Sequence, residues 1–142
     1  MTVHLIKLSV GSERVDDLAR WQQTVLMRNQ GTPLEGYTHH VTRMFPKRAD
    51  ELMDGGSIFW VINRQIQCRQ AILDVQEVST GEGRKCCLVL NPDLILVQPV
   101  ARGPFQGWRY LKVDDAPTDI GRADEGAEDL PIRAELAELG LL

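Results

Sequence analysis

The sequence lacks any long apolar run. Its longest runs, such as residues 94–97 and 58–62, fall far short of the roughly 20 apolar residues that a membrane-spanning helix needs. Residues 1–8 also lack the apolar stretch and the small-residue cleavage site of a signal peptide. From these absences we expect a cytoplasmic protein without a membrane segment.

Cysteine is scarce, with Cys68 alone and Cys86 and Cys87 adjacent to each other. Adjacent residues of a strand face opposite sides, so this pair neither bonds to itself readily nor holds one metal ion. No CxxC spacing occurs. We therefore expect buried reduced thiols rather than the alternative of a zinc site, and neither a metal nor a cofactor.

Catalytic motifs are also missing, because no GxSxG, HExxH, P-loop or GxGxxG pattern occurs. His39 and His40 are candidate acid–base groups, but adjacent residues of a strand face apart and no nucleophile is visibly coupled to them. The sequence therefore assigns no catalytic residue.

What is present is the composition of one globular domain, with 142 residues, 43% of them apolar and 25% charged. The net charge of −4 is uneven, at +3 over residues 1–112 and −7 over residues 113–142. We therefore expect a domain over residues 1–117 and an acidic tail over 118–142, in which residues 131–139 form a short docked helix. The tail either solubilises the protein or covers a basic surface as a competitor.

Short stretches rich in β-formers, separated by turn residues, dominate the domain. Apolar spacing over residues 15–26 predicts an amphipathic helix with Ser12 as its N-cap. Pro46 is expected to open a second helix of about two turns, and residues 57–62 and 66–78 predict a hairpin. This order predicts an α+β domain built on a partly closed β-barrel.

A basic stretch precedes the hairpin, because no acidic residue lies between Glu35 and Asp50. Free amides of a helix that begins at Pro46 would join the cations there in binding a phosphate or carboxylate. The alternative is that the cations pair with acids of the following helix. The candidate phosphate contacts are Arg43, Lys47 and Arg48.

An aromatic and basic stretch, residues 105–110, ends the domain. In an extended segment Trp108 and Tyr110 share one face and Arg109 takes the other. Aromatic platforms beside a cation and an amide suit stacked bases, although aromatics also fill the cores of small barrels. The further candidate binding residues are Trp60, Arg69, Gln106, Trp108, Arg109 and Tyr110.

Four strings carry a family resemblance, namely HHVTRMFPKR (39–48), GGSIFWVI (55–62), CRQ (68–70) and FQGWRYL (105–111). They resemble an uncharacterised bacterial family filed as a domain of unknown function. The resemblance covers nearly the whole domain, from about residue 3 to 117, and it implies no established activity.

The order of a short helix, a glycine pair, an aromatic strand and a long second strand is similar to that of the PUA-like superfamily, which includes PUA, ASCH, EVE and YTH domains. This resemblance implies a small β-barrel that binds RNA or modified nucleobases in a cleft, flanked here by the basic helix and the strand that starts at Ser57. Some ASCH proteins are amidohydrolases with a Gly-Lys-Thr type segment. Here Lys47 is followed by Arg48 and Ala49, so that pattern is not reproduced.

The resulting hypothesis is a non-catalytic domain that binds RNA or a modified nucleobase. The cations, including Arg69, would contact phosphate, the aromatic rings would stack a base, and Gln106 would read its edge. Two alternatives stay open. One is an amidohydrolase-type enzyme with Lys47 or His40 as its base, and the other is a protein-interaction module that uses the exposed aromatics.

Overall fold

The computed structural model describes residues 1–123, which form a sheet-dominated α+β fold as predicted. Eight strands share one sheet, and no helix among these residues is long and apolar enough to cross a membrane. In chain order the elements are β1 (His4–Leu8), α1 (Val15–Arg28), β2 (Thr38–Thr42), α2 (Ala49–Leu52), β3 (Ser57–Ile62), β4 (Gln65–Thr80), β5 (Gly83–Leu90), β6 (Ile95–Ala101), β7 (Trp108–Leu111), a 3-10 turn (Val113–Asp115) and β8 (Asp119–Arg122).

The main path of the sheet runs β2-β5-β4-β3-β1-β7, while β6 pairs with β4 and β8 pairs with β6. The first strand, β1, pairs in parallel with β3 and antiparallel with β7, so it lies inside the sheet. No pairing joins β2 to β7 within residues 1–123, and the sheet is therefore not closed.

The sheet curls strongly. Three strand spacings of a flat sheet would separate β2 from β3 by about 14 Å, yet the rings of His40 on β2 and Trp60 on β3 lie 5.3 Å apart. Gln70 on β4 fixes this curl, because it accepts the Trp60 Nε1–H at 2.9 Å and donates to Thr38 Oγ1 at 3.3 Å and to the Asn91 carbonyl at 3.1 Å. We call the side that carries Trp60 the inner face and the side that carries Phe59 the outer face.

Both faces carry an apolar core, which is why all six residues of β3 are buried. The inner core contains Leu5, Ile58 and Leu88 and receives Leu18 from α1. The outer core is smaller and includes Ile6, Phe59, Val61 and Leu111. Strand alternation therefore sends neighbouring residues to two different cores.

One tight turn and one close backbone approach at a glycine together position β3. Asn63 and Arg64 both have positive φ, at 51° and 63°, which is the geometry of a two-residue hairpin turn between β3 and β4. At Gly56 an added Cβ would lie 2.4 Å from the carbonyl oxygen of Val3 and 2.5 Å from that of Leu52. Only glycine lets β3 start this close to β1 and α2.

The predicted start of the first helix was wrong. The helix begins at Val15 with Arg14 as its N-cap, and the Ser12 hydroxyl instead contacts the Ser9 hydroxyl at 2.9 Å. The Asp17 carboxylate accepts the backbone N–H groups of Glu13 and Arg14, each at 3.0 Å. This acidic side chain does the capping that was expected of Ser12.

The start of the second helix was also wrong, since α2 begins at Ala49 and has only four residues. Arg48 has non-helical backbone angles, and its amide donates to the hydroxyl of Tyr110 at 3.1 Å. A tertiary contact therefore takes the amide that a helix from Pro46 would have left free.

Part of the segment expected to be tail belongs to the sheet. Asp119–Arg122 form β8 on β6, and the Ala123 amide continues the contact by donating to the Leu94 carbonyl at 2.8 Å. The helix predicted over residues 131–139 lies outside the described residues.

Candidate functional site

The basic stretch and the aromatic strand contact each other. Residues 43–48, here called the bridge segment, lead from the end strand β2 to α2 and lie against the other end strand, β7. Trp108 Nε1 donates to the Met44 carbonyl at 3.4 Å, the Arg48 amide donates to Tyr110 Oη at 3.1 Å, and the Arg48 guanidinium lies 5.2 Å from the centre of the Tyr110 ring. The gap between the two end strands is thus spanned by a basic loop.

The cations of the bridge segment differ in their partners. Arg48 forms a two-point ion pair with Glu51, at 2.6 and 2.9 Å, which raises the pKa of Arg48 and lowers that of Glu51. Arg43 and Lys47 are exposed, and neither forms an ion pair with another residue of the described part of the chain. Pairing with the following helix therefore accounts for Arg48 but not for the other two.

Trp108 and Tyr110 lie on the inner face of β7, with their rings 5.0 Å apart and edge to face. Both are half-buried, since each packs against the inner core and keeps part of its surface open. Gln106 is exposed in the loop just before this strand. The two interpretations of the aromatic stretch, core packing and open surface, therefore both describe part of each ring.

Trp60 lies in the core instead. It is only 2% exposed, and its Nε1–H is held by Gln70. Its role in stacking a base stays a prediction, for which the closed packing gives no support.

Arg69 and Arg109 lie on the outer face, away from the bridge segment. Arg69 donates to both carboxylate oxygens of Asp119, at 2.8 and 2.7 Å, and to Ser57 Oγ at 2.9 Å. Arg109 stacks over Phe105 at 5.4 Å from the ring centre. The structure therefore divides the predicted binding residues between two faces of the sheet.

Lys7 is the residue that sequence reasoning missed. It is the register partner of Trp60 on β3 and of Trp108 on β7, so the three side chains share the inner face as direct neighbours. Lys7 is half-buried, and it makes no hydrogen bond or ion pair with any other residue between 1 and 123. Burial lowers its pKa. A lysine in register with Val3 and Leu5 on a buried strand face was the available signal.

His40 approaches the same place from β2. Its ring packs perpendicular to that of Trp60, and its Nε2 is buried with no hydrogen-bond partner among the described residues. Burial, and then the charges of Lys7 and His39, lower the pKa of His40 to about 4, so its ring is neutral at pH 7. We call Lys7, His40, Trp60 and Trp108 the inner cluster.

His39 is placed differently from its neighbour. Its Nδ1 lies 3.1 Å from the side-chain nitrogen of Asn29, and burial lowers its pKa. The two histidines therefore face apart, as adjacent residues of a strand must. Only His40 joins the inner cluster.

A separate concavity of about 360 Å³ lies beside α1 and is lined by Gln22, Leu26, Thr38 and Leu94, among others. Gln22 is 4% exposed, and its Oε1 has no hydrogen-bond partner within residues 1–123. None of the site residues predicted from the sequence lines this concavity.

The three cysteines are free and buried. Burial raises the pKa of Cys68 to about 12 and that of Cys86 to about 11, so both thiols are protonated at neutral pH. Such groups are unreactive compared with an ordinary thiol.

Comparison with known proteins identifies the family of the chain. No curated protein and no solved structure matches it. A family described as "Protein of unknown function (DUF1489)" matches residues 5–142. The match runs past residue 117, so the family includes the acidic C-terminal segment. The uncharacterised family expected from the sequence strings is confirmed, and the chain belongs to the DUF1489 family.

Proposed function

We propose that this protein binds single-stranded RNA or a modified nucleobase, without catalysis, on the surface shared by the bridge segment and β7. The observation that carries the proposal is the contact between these two segments, which sets exposed Arg43 and Lys47 beside the half-open rings of Trp108 and Tyr110. Single-stranded nucleic acid is bound by this combination of cations that meet phosphates and aromatic rings that stack bases.

The solvent exposure of each residue suggests its role in binding RNA. Arg43 and Lys47 have no internal partner in the described residues, so they can meet phosphates without breaking an ion pair. Trp108 is the stacking residue, and Gln106, exposed two positions before it, reads the edge of the base. Stacking on such a ring contributes about 1–3 kcal/mol per base.

The fold that we propose for this function is a PUA-like barrel in the cytoplasm. The curl of the sheet, the short helix before Gly56 and the β3-β4 hairpin support it. The gap between β2 and β7 would then be the mouth of the ligand cleft, with the bridge segment as its basic rim.

Titration with RNA tests this proposal. We expect salt-dependent quenching of tryptophan fluorescence by mixed-sequence single-stranded RNA at micromolar protein. Arg43→Gln combined with Lys47→Gln should flatten the slope of log affinity against log salt by about 1.4, because single strands release about 0.7 ion per phosphate contact. No binding at low salt would overturn the proposal.

The control for the aromatic contact lies on α1. Trp21 is 50% exposed, and the Arg28 guanidinium lies 5.5 Å from its ring, so the pair has the same chemistry at a distance from β7. Trp108→Ala should weaken RNA binding about tenfold or more, and Trp21→Ala should leave it unchanged. Equal losses would mean that binding does not depend on the proposed surface.

A protein-interaction role is the second candidate, because apolar side chains at the end of β2 and on the bridge segment are open to solvent. Val41, Met44 and Phe45 are 39%, 68% and 47% exposed. This role would be favoured over RNA binding if the protein retained a protein partner after nuclease treatment. The double variant Met44→Ser and Phe45→Ser should then lose that partner.

A further inference from the structure

The inner cluster contains a cation without a counter-charge. Lys7 lies between Trp60 and Trp108 in the register of the sheet, and no acidic side chain among residues 1–123 forms an ion pair with it. A half-buried charge is costly unless an opposite charge or hydrogen-bonding groups surround it. The site is therefore electrostatically incomplete within the described part of the chain.

His40 adds an unsatisfied polar atom at the same place. Its Nε2 is buried with no hydrogen-bond partner within residues 1–123, and its ring packs perpendicular to that of Trp60. An unpaired buried nitrogen is also unfavourable, and it gains a hydrogen bond when a ligand oxygen approaches. A single anionic group would serve both residues, as acceptor for the Lys7 ammonium and for a His40 N–H.

We propose that Lys7 and His40 bind a terminal phosphate of the ligand, so that the protein recognises the end of an RNA strand or a mononucleotide rather than an internal segment. This inference rests on the proposed function, since it places the stacked base on Trp108 next to the bound phosphate. A terminal phosphate carries more negative charge than an internal diester, and it can enter a half-buried position that a continuous strand cannot thread.

The cations of the bridge segment and Lys7 then bind different phosphates of the RNA. Arg43 and Lys47 are exposed on the bridge segment and suit internal diesters, which stay in contact with water. Lys7 is half-buried, and we expect it to form shorter and stronger charge-assisted hydrogen bonds with a terminal phosphate than an exposed cation forms. The contribution of the bridge segment to RNA affinity should therefore fall as salt is added. The contribution of Lys7 should depend on whether the RNA strand ends in a phosphate or in a hydroxyl group.

The test compares three RNA oligomers of one sequence that end in a 5′-phosphate, in a 3′-phosphate or in hydroxyl groups alone. The full chain should bind one phosphorylated oligomer at least about tenfold more tightly than the hydroxyl oligomer, and the preferred end identifies the source of the phosphate. Lys7→Met should abolish that preference and keep the remaining affinity.

Lys85→Met is the matched control. Lys85 is also a partly buried lysine of a strand, but it pairs with Glu82 at 2.8 Å and precedes the inner-core residue Cys86, so its side chain lies on the other face of β5. This variant should keep the full preference for a terminal phosphate. Loss of the preference in both lysine variants would show that only general charge matters, and would overturn the inference.

Inorganic phosphate gives a second measurement that needs no RNA. In NMR spectra of the full chain, phosphate should shift the ring resonances of His40 and raise its pKa, against the opposing charges of Lys7 and His39. The shift should vanish in Lys7→Met. RNA binding without any preference among the three ends would overturn this inference and leave the proposed function standing. Absence of RNA binding would overturn the proposed function, and the His40 shift then decides the phosphate site alone.

Discussion

Two half-buried cations on the strands that flank β3 differ in whether the fold supplies them with a counter-charge. Arg69, on the outer face of β4, makes three hydrogen bonds, two of them to Asp119 and one to Ser57. Lys7, on the inner face of β1, makes none with residues 1–123. The outer cation is neutralised by its own fold and holds β8 in place. The inner cation has no counter-charge among the described residues, which is the arrangement we expect of a recognition site rather than of a structural ion pair.

Replacing Gln70, which links the strands of the inner face, should have the largest effect on the free energy of unfolding. Gln70 is fully buried, and Gln70→Ala would leave the Trp60 N–H without its acceptor, Thr38 Oγ1 and the Asn91 carbonyl without their donor, and a cavity behind. We expect a loss of about 3–4 kcal/mol in the free energy of unfolding, measured with urea.

Gln67 on the same strand is the matched control. It donates one bond to the Ile62 carbonyl at 2.7 Å and is only partly buried. Gln67→Ala should cost about 1 kcal/mol. Similar costs at the two positions would contradict the view that Gln70 holds the curl of the inner face.

Acid should lower the free energy of unfolding through His40 on the inner face. Because the pKa of His40 falls from 6.5 to about 4 on folding, the unfolded chain binds a proton there between these values and the folded chain does not. Stability therefore falls as the pH drops through this window, by at most about 3 kcal/mol.

Unfolding curves of His40→Gln and of the unchanged protein, measured between pH 7 and pH 4, check this expectation. The variant should lose most of the pH dependence in that window. Persistence of the full dependence would assign it to other groups, among them His4 and His39, whose pKa values burial also lowers.

Breaking the outer ion pair should cost stability and leave RNA binding unchanged. Arg69→Met removes the bonds to Asp119 and Ser57, and we expect a loss of about 1–2 kcal/mol. The pair lowers the pKa of Asp119 below its ordinary 3.8, so its contribution is present above that pH and fades below it.

A double-mutant cycle with Asp119→Asn, run in urea at pH 7, isolates the pair. A coupling energy near zero would show that the two hydrogen bonds contribute little to stability. A loss of RNA affinity in Arg69→Met would place the outer face in the binding site.

Lys7→Met should have the smallest effect on stability, and it should raise the free energy of unfolding rather than lower it. The substitution keeps the apolar stem and removes a half-buried charge, so we expect a gain of about 0–1 kcal/mol in the absence of ligand. Thermal unfolding of the purified full chain measures it. A loss larger than about 1 kcal/mol would show that Lys7 has a stabilising partner in the chain.

The spacing of apolar and turn residues along the sequence predicted those helices and strands that are determined by nearby residues. The α+β class, the amphipathic α1 and the β3-β4 hairpin follow from apolar periodicity and turn residues, and alternation placed Trp108 and Tyr110 together on one face. Each of these depends on interactions over a few positions along the chain.

What could not be predicted depends on distant partners. Arg69 looks like Arg43 and Lys47 in the sequence, and its ion pair with Asp119, 50 positions away, is what distinguishes it from them. Trp60 is closed off by His40 and Gln70 from two other strands. Ser12 has the right chemistry for an N-cap, but the start of the helix is held instead by the Asp17 carboxylate, which accepts the backbone N–H groups of Glu13 and Arg14.

The interior position of β1 has a consequence for biosynthesis. This strand leaves the ribosome before both of its partners, which are β3 and the much later β7, with Lys7 paired to Trp108. The chain must close a loop of about a hundred residues before β1 is covered on both edges, and folds with such non-local pairing form slowly. A nascent chain that stops before β7 would expose one edge of β1 and the apolar row of the inner core. Such a truncated product should therefore be prone to aggregation and should depend on chaperones.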